Sequence, residues 1–149
     1  MNNLAFNSGI FLNNFFIDSA DEFNFKNQVL KALDTDQLSS KEYNGYITYS
    51  FLCEYLETKF RFYVTFHEKK RNSDPYLVWL DSNCEQKKWE SSEKDLYKDV
   101  ENLKKKLEAK GFLPYKGKEN LSFYYIINKT NLVLTGSLRS MSTIIGIEM

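Results

Sequence analysis

The single histidine of this chain, His67, stands in the run HEKK. A zinc-peptidase helix places two histidines at i and i+4 so that both imidazoles face one metal, and the second is missing here. Acid or base catalysis by His67 would need a carboxylate beside it in a cleft. The spacing supplies none, so His67 is read as a solvent-facing residue at a strand end. Asp81 and Glu54 are carboxylates that folding alone could bring together. Cys53 and Cys84 form no C-x-x-C unit. Cys53 falls in a strand pattern, where a buried reduced thiol is expected. The run Asn128-Lys129-Thr130 has the form of a glycosylation acceptor, but residues 1–16 lack the basic start and apolar run of a secretory signal, so no secretion is expected and the match is read as chance. There is no phosphate-cradling glycine loop and no G-x-S-x-G elbow. No enzymatic activity, metal or cofactor is expected, which leaves binding as the class of function.

Residues 59–66, KFRFYVTF, raise nucleic-acid chemistry. The octamer resembles the [KR]-G-[FY]-[GA]-F-V-x-[FY] run of RNA-recognition domains, whose aromatic rings lie on an open sheet for bases to stack on. Lys59, Tyr63, Val64 and Phe66 match it, while Phe60, Arg61 and Phe62 replace a glycine, an aromatic and a small residue. IFLNNF at 10–15 resembles the companion hexamer, Phe15 apart. The formal net charge is zero, whereas RNA-binding domains carry a strong positive field. Single-stranded RNA binding is therefore the alternative, and no nucleic-acid partner is expected.

Any such site must be held by a sheet and helices. Residues 10–17 read as a strand or a helical lead-in. Ser19 with Glu22 three residues on forms a capping box, with Asp21 adding charge to the first turn. Phe25, Val29 and Leu33, with Leu30 beside them, then give a helix a buried face ending near Asp34. TDQLSSKEYNG reads as a loop. GYITYSFLCEYLE and KFRFYVTFHEKK alternate about a turn near Glu57–Lys59 and read as a β-hairpin. Phe60, Phe62, Val64 and Phe66 face the core, and Arg61, Tyr63, Thr65 and His67 the other side. PYLVWLD supplies a third strand with Trp79 assigned to the core. Trp89 is read as a hydrophobic staple ahead of the next helix or as an exposed anchor. That helix starts at Ser91 or Ser92, buries Leu96, Val100, Leu103 and Leu107, and closes at Gly111. Lys104, Lys105, Lys106 and Lys110 read as its solvated face. Strands follow at 121–128, 130–136 and in STIIGIEM.

The order is roughly (β)αβββαβββ. It predicts an α+β fold over residues 1–149, one domain, with two main helices on one face of an antiparallel sheet. At 149 residues, 42% of them hydrophobic, the chain can bury a core without metal or disulfide support. No apolar run is long enough for a membrane span, so a cytoplasmic protein with no membrane partner is expected. Acids outnumber lysines two to one within residues 1–60, and bases outnumber acids thereafter. Such a division lets one region steer an oppositely charged partner.

Several runs together resemble immunity proteins of bacterial polymorphic toxin systems of the contact-dependent inhibition, Rhs and type VI secretion types. They are F-x-I-x-S-x-x-E-F (Phe15, Ile17, Ser19, Glu22, Phe23), a tyrosine-rich meander, W-L-D, an L-x-x-x-V helix, and Lys110-Gly111-Phe112. The resemblance implies a cytoplasmic protein that neutralises a cognate toxin effector domain by covering its active site or substrate surface. Many such toxins have basic clefts, which an acidic patch bearing aromatic anchors would suit. The partner-binding residues nominated on that basis are Asp18, Asp21, Glu22, Asp34 and Asp36, then Arg61 and Tyr63, and Asp74, Tyr76, Asp81, Glu85 and Trp89 at the sheet ends.

Overall fold

The computed structural model describes residues 2–17, 21–34, 38–70, 75, 77–83, 93–118 and 122–148. Three short strands open the chain: β1 (Leu4–Phe6), β2 (Ile10–Leu12) and β3 (Phe15–Ile17), paired antiparallel in that order. IFLNNF is thus a hairpin, turning at Asn13 and Asn14, both with positive φ, which asparagine tolerates. Gly9 makes the preceding turn with φ +147°, and a Cβ there would sit 2.6 Å from the Phe16 ring. The Asn13 amide donates to Asn2 Oδ1 and to the Ala32 carbonyl, tying this small sheet to the helix that follows.

That helix, α1 (Glu22–Ala32), is capped by Asp21, whose carboxylate accepts from the Asn24 backbone N–H at 2.7 Å. The expected capping box is corrected on this point. A start at residue 22 points the Glu22 side chain inward, where it accepts from the Tyr49 hydroxyl at 2.6 Å; Ser19 lies outside the described residues. Phe25, Val29 and Ala32 form the buried stripe. Leu30, expected beside it, is 54% exposed, a full 100° of helical rotation from Val29.

Four strands follow: β4 (Ser39–Tyr43), β5 (Tyr46–Tyr55), β6 (Thr58–His67) and β7 (Leu77–Asp81), each antiparallel to the next. β4 replaces an expected loop. It is exposed along its whole length and joins β5 through Asn44–Gly45, both with positive φ, the turn that best matches strand twist. The β5–β6 hairpin forms as predicted, with its two-residue turn at Leu56–Glu57, also at positive φ. Lys106 Nζ donates to the Leu56 carbonyl at 3.0 Å and to Thr58 Oγ1 at 3.2 Å, holding that turn from outside.

The second long helix, α2 (Glu93–Ala109), buries the predicted Leu96, Val100, Leu103 and Leu107. It stops where Gly111 takes φ +87° and the Phe112 N–H reaches back to the Leu107 carbonyl, a Schellman closure. The chain ends in β8 (Lys116–Lys118), β9 (Ser122–Ile127), β10 (Thr130–Ser137) and β11 (Ser142–Glu148). Asn128 and Lys129 make the β9–β10 turn, and the Asn128 amide donates to the Phe6 carbonyl, so the sequon asparagine braces the two sheets.

The result is α+β, but the element order is βββαββββαββββ rather than (β)αβββαβββ. The large sheet runs β4-β5-β6-β7-β11-β10-β9-β8. Each half is one helix followed by a four-stranded meander, and the meanders join through their last strands, β7 and β11. Read from β4 or from β8, the order has the same form. The helices and the small sheet cover one face of the large one: Phe25 packs on Tyr49 and Phe66, α2 on β10 and β11, and Phe6 on Tyr55. Their buried side chains form one cluster with Phe51, Phe60, Phe62, Val64, Leu80, Leu134 and Ile145, and it includes the buried Cys53. The opposite face is crossed by none of the described helices or strands.

Candidate protein-binding face

Because residues alternate along a strand, the burial of Phe60, Phe62, Val64 and Phe66 sends Arg61, Tyr63, Thr65 and His67 to the open face. Register then decides their neighbours. Arg61 lies between Leu52 and Asp81, Tyr63 between Ser50 and Trp79, Thr65 between Thr48 and Leu77, and His67 beside Tyr46. Trp79 therefore belongs to this face and not to the core. Val78 and Leu80 take the inward positions of β7, at 5% and 0% exposure, so parity sends the indole outward.

Tyr63 and Trp79 stack across β6 and β7, ring centres 4.9 Å apart and planes 9° apart. Thr48 and Thr65 share a hydroxyl hydrogen bond of 2.8 Å. His67 meets the Tyr46 ring edge-on at 5.1 Å, and its Nδ1 accepts from the Lys69 N–H. Arg61 turns away from the in-register Asp81 and crosses β5: Nε donates to Ser50 Oγ at 3.0 Å and Nη2 to Ser39 Oγ at 3.1 Å. Asp81 instead accepts from the Asn83 N–H.

These choices shape a bowl of about 460 Å³. The short side chains Thr48 and Ser50 form its floor. Ser39 to Lys41 and Tyr43 on the edge strand β4 make one wall, and Arg61, Tyr63 and Trp79 the other. Each wall thus carries one cation, Lys41 or Arg61, together with aromatic surface, above a floor of hydroxyls. A bowl of this kind can grip a charged or aromatic group brought by another molecule.

The nominated residues divide between the two sides of the sheet. Arg61 and Tyr63 share the open face, as the alternation of β6 predicts, and Asp81, nominated in a sheet-end loop, lies on that face at the end of β7. Asp21 and Glu22 lie under the opposite face, the first capping α1 and the second at 8% exposure against Tyr49. Asp34 is exposed just beyond α1, with its N–H bound to Asn2 Oδ1. Asp18, Asp36, Asp74, Tyr76, Glu85 and Trp89 lie outside the described residues. Trp79, Lys41, Ser39 and Ser50 were missed. The dipeptide Asn44–Gly45, the strongest short hairpin signal, was the cue that would have found β4.

Glu54 and Asp81 are not a catalytic pair: β6 lies between their strands, and two strand spacings, about 10 Å, are too many for a shared proton. The two RNA-like runs also part company, since residues 10–15 lie in the small sheet and residues 59–66 in the large one. Among the described residues no group of three or more His, Cys, Asp or Glu side chains could hold a metal ion, and no helix is long and apolar enough to cross a membrane. Exposed apolar side chains also mark the helix side, where Phe23 is 75% and Leu30 54% exposed on one stripe of α1, with Phe15 and Phe16 on β3. No protein-family model, curated protein or solved structure matches this chain.

Proposed function

We propose that this chain is a cytoplasmic immunity protein that binds a cognate bacterial toxin domain through the open face of its large sheet and occludes the toxin's active site or substrate surface. One observation carries the reading: Arg61, Tyr63 and Trp79 gather around a concave bowl on that face. Arginine, tyrosine and tryptophan are the residue types that dominate binding energy at protein interfaces, and they act from partly sheltered positions such as this one. The toxin is expected to be encoded directly upstream. Mixing the purified chain with that toxin domain should give a stable complex and abolish toxicity. Trp79→Ala should weaken the complex by about 2 kcal/mol, roughly 30-fold. Unchanged affinity in that variant would remove the open face from the reading, and continued toxicity in the presence of the chain would remove the function.

Single-stranded RNA binding is the second reading, favoured by the stacked Tyr63–Trp79 pair on an antiparallel sheet beside Arg61. Each of these rings already spends one face on the other, which leaves less platform than two flat-lying rings would offer. Salt-sensitive RNA binding lost on Tyr63→Ala would put this reading first.

A further inference from the structure

We propose that the bowl between β4 and β7 is an anion subsite that takes the carboxylate of an acidic side chain presented by the bound partner protein. The inference rests on the reading of the open face as the partner-binding face and assigns the chemistry of its anchor point.

The argument starts from a pairing that does not form. Asp81 stands directly across from Arg61 in the β6–β7 register, where opposite charges on adjacent strands ordinarily attract. The guanidinium instead swings the other way, over β5, and is held by two neutral hydroxyls, Ser50 and Ser39. Among the described residues neither Arg61 nor Lys41 has a carboxylate partner. Two hydroxyls fix the plane of the guanidinium and leave its charge uncompensated, with part of its five-donor fork unspent. Lys41 lines the same bowl from the edge strand. Glu42 falls on the other side of β4, paired with the inward Ile47. The charge offered here is therefore positive, held in place before any partner arrives.

Shape selects the source of the anion. The bowl opens outward over a short hydroxyl floor, with Tyr43, Tyr63 and Trp79 around it. A small molecule is ordinarily buried over most of its surface in a closed pocket. A protein loop brings its own cover, so an acidic side chain seated beside its neighbours completes the burial that the bowl lacks. This reverses the sign expected from the sequence. Of the described acids nominated for a basic toxin cleft, Asp21 is committed to a helix cap, Glu22 to Tyr49 and Asp81 to a turn, and the exposed Asp34 lies just beyond α1, whereas the bowl's cations have no carboxylate partner among the described residues.

The test uses the full isotope-labelled chain and two blocked peptides, acetyl-Gly-Phe-Glu-Gly-amide and its Gln counterpart. NMR follows the Arg61 Nε–H and the amides of Ser39 to Tyr43 and of Trp79. The Glu peptide should bind about tenfold tighter than the Gln peptide at low salt. That preference should vanish in Arg61→Gln and at high salt. Lys41→Gln, on an exposed edge, should reduce it without disturbing the fold and serves if Arg61→Gln does not fold. Equal binding of the two peptides, shifts confined to other surfaces, or adenosine monophosphate binding ahead of the Glu peptide would overturn the proposal. The toxin plays no part in this assay. A Glu-selective bowl in a chain that neutralises no toxin would leave the subsite standing and remove the function. Neutralisation by a chain with no Glu preference would do the reverse.

Discussion

Tyr49→Phe removes one atom from the interior, and the geometry around that atom sets the expected cost. The Tyr49 hydroxyl donates to Glu22 Oε1 at 2.6 Å, with Tyr49 at 4% and Glu22 at 8% exposure. A short hydrogen bond between a hydroxyl and a carboxyl group, shielded from water, contributes about 1–3 kcal/mol. The ring itself stays, because its contacts with Phe25 and Phe66, at 6.0 and 6.3 Å between centres, do not involve the hydroxyl. Apolar burial is thus conserved and the hydrogen bond isolated. The expected loss is about 2 kcal/mol, or roughly 4–8 °C in Tm for a domain of this size. Urea denaturation should show a lower midpoint at an unchanged slope. Glu22→Gln and the double variant close a cycle whose coupling energy should exceed about 0.5 kcal/mol. Neither single change should alter affinity for the proposed toxin partner, since Glu22 lies under the covered face. A coupling near zero, or toxin affinity lost in Glu22→Gln at full stability, would return Glu22 to the interface and refute the placement.

Tyr125 has the opposite fault: its hydroxyl is buried with no hydrogen-bond partner among the described residues, so Tyr125→Phe should raise stability by about 1 kcal/mol near neutral pH, and a drop in the urea midpoint would show that the hydroxyl is bonded after all. Burial, reinforced by the negative charges of Glu101 and Glu108, pushes the Tyr125 pKa from 10.0 up to about 12. Its contribution to stability is whole below the unfolded value and is lost as pH climbs through the folded one, so the fall in midpoint across that alkaline window should be shallower in Tyr125→Phe. Glu57 holds φ +59° in the β5–β6 turn, a conformation that disfavours side chains, and Glu57→Gly should gain about 0.5–1 kcal/mol; destabilisation by thermal melt would count against the turn assignment. Phe23→Ser with Leu30→Ser should leave affinity for the proposed toxin partner within about twofold, since α1 lies on the covered side; a large loss by calorimetry, with Trp79→Ala silent, would move the interface to the helix face.

Elements whose signal is local were legible in the sequence. The period of 3.6 in Leu96, Val100, Leu103 and Leu107 placed α2, and the period of two in residues 60–66 placed β6 and sorted its sides. Both follow from how a single element buries one face, which needs no knowledge of its neighbours. β4 escaped because an edge strand exposed along its whole length carries no apolar alternation; only its Asn44–Gly45 turn gave it away. Trp79, expected in the core, faces outward because it shares strand parity with Asp81 two residues on, while Val78 and Leu80 take the inward positions.

Other features are not local at all. The meeting of β7 with β11 joins segments some 65 residues apart, and no pattern within either strand names the other. Which way Arg61 leans depends on the hydroxyls of Ser39 and Ser50 arriving from two other strands. The sequence by itself determined which side chains β6 and α2 turn inward, because that follows from backbone geometry and the removal of apolar surface from water. Only the tertiary structure decided that the outward side chains of β4 to β7 make one bowl, because strand pairing and register set that neighbourhood and leave its cations, among the described residues, without a carboxylate partner.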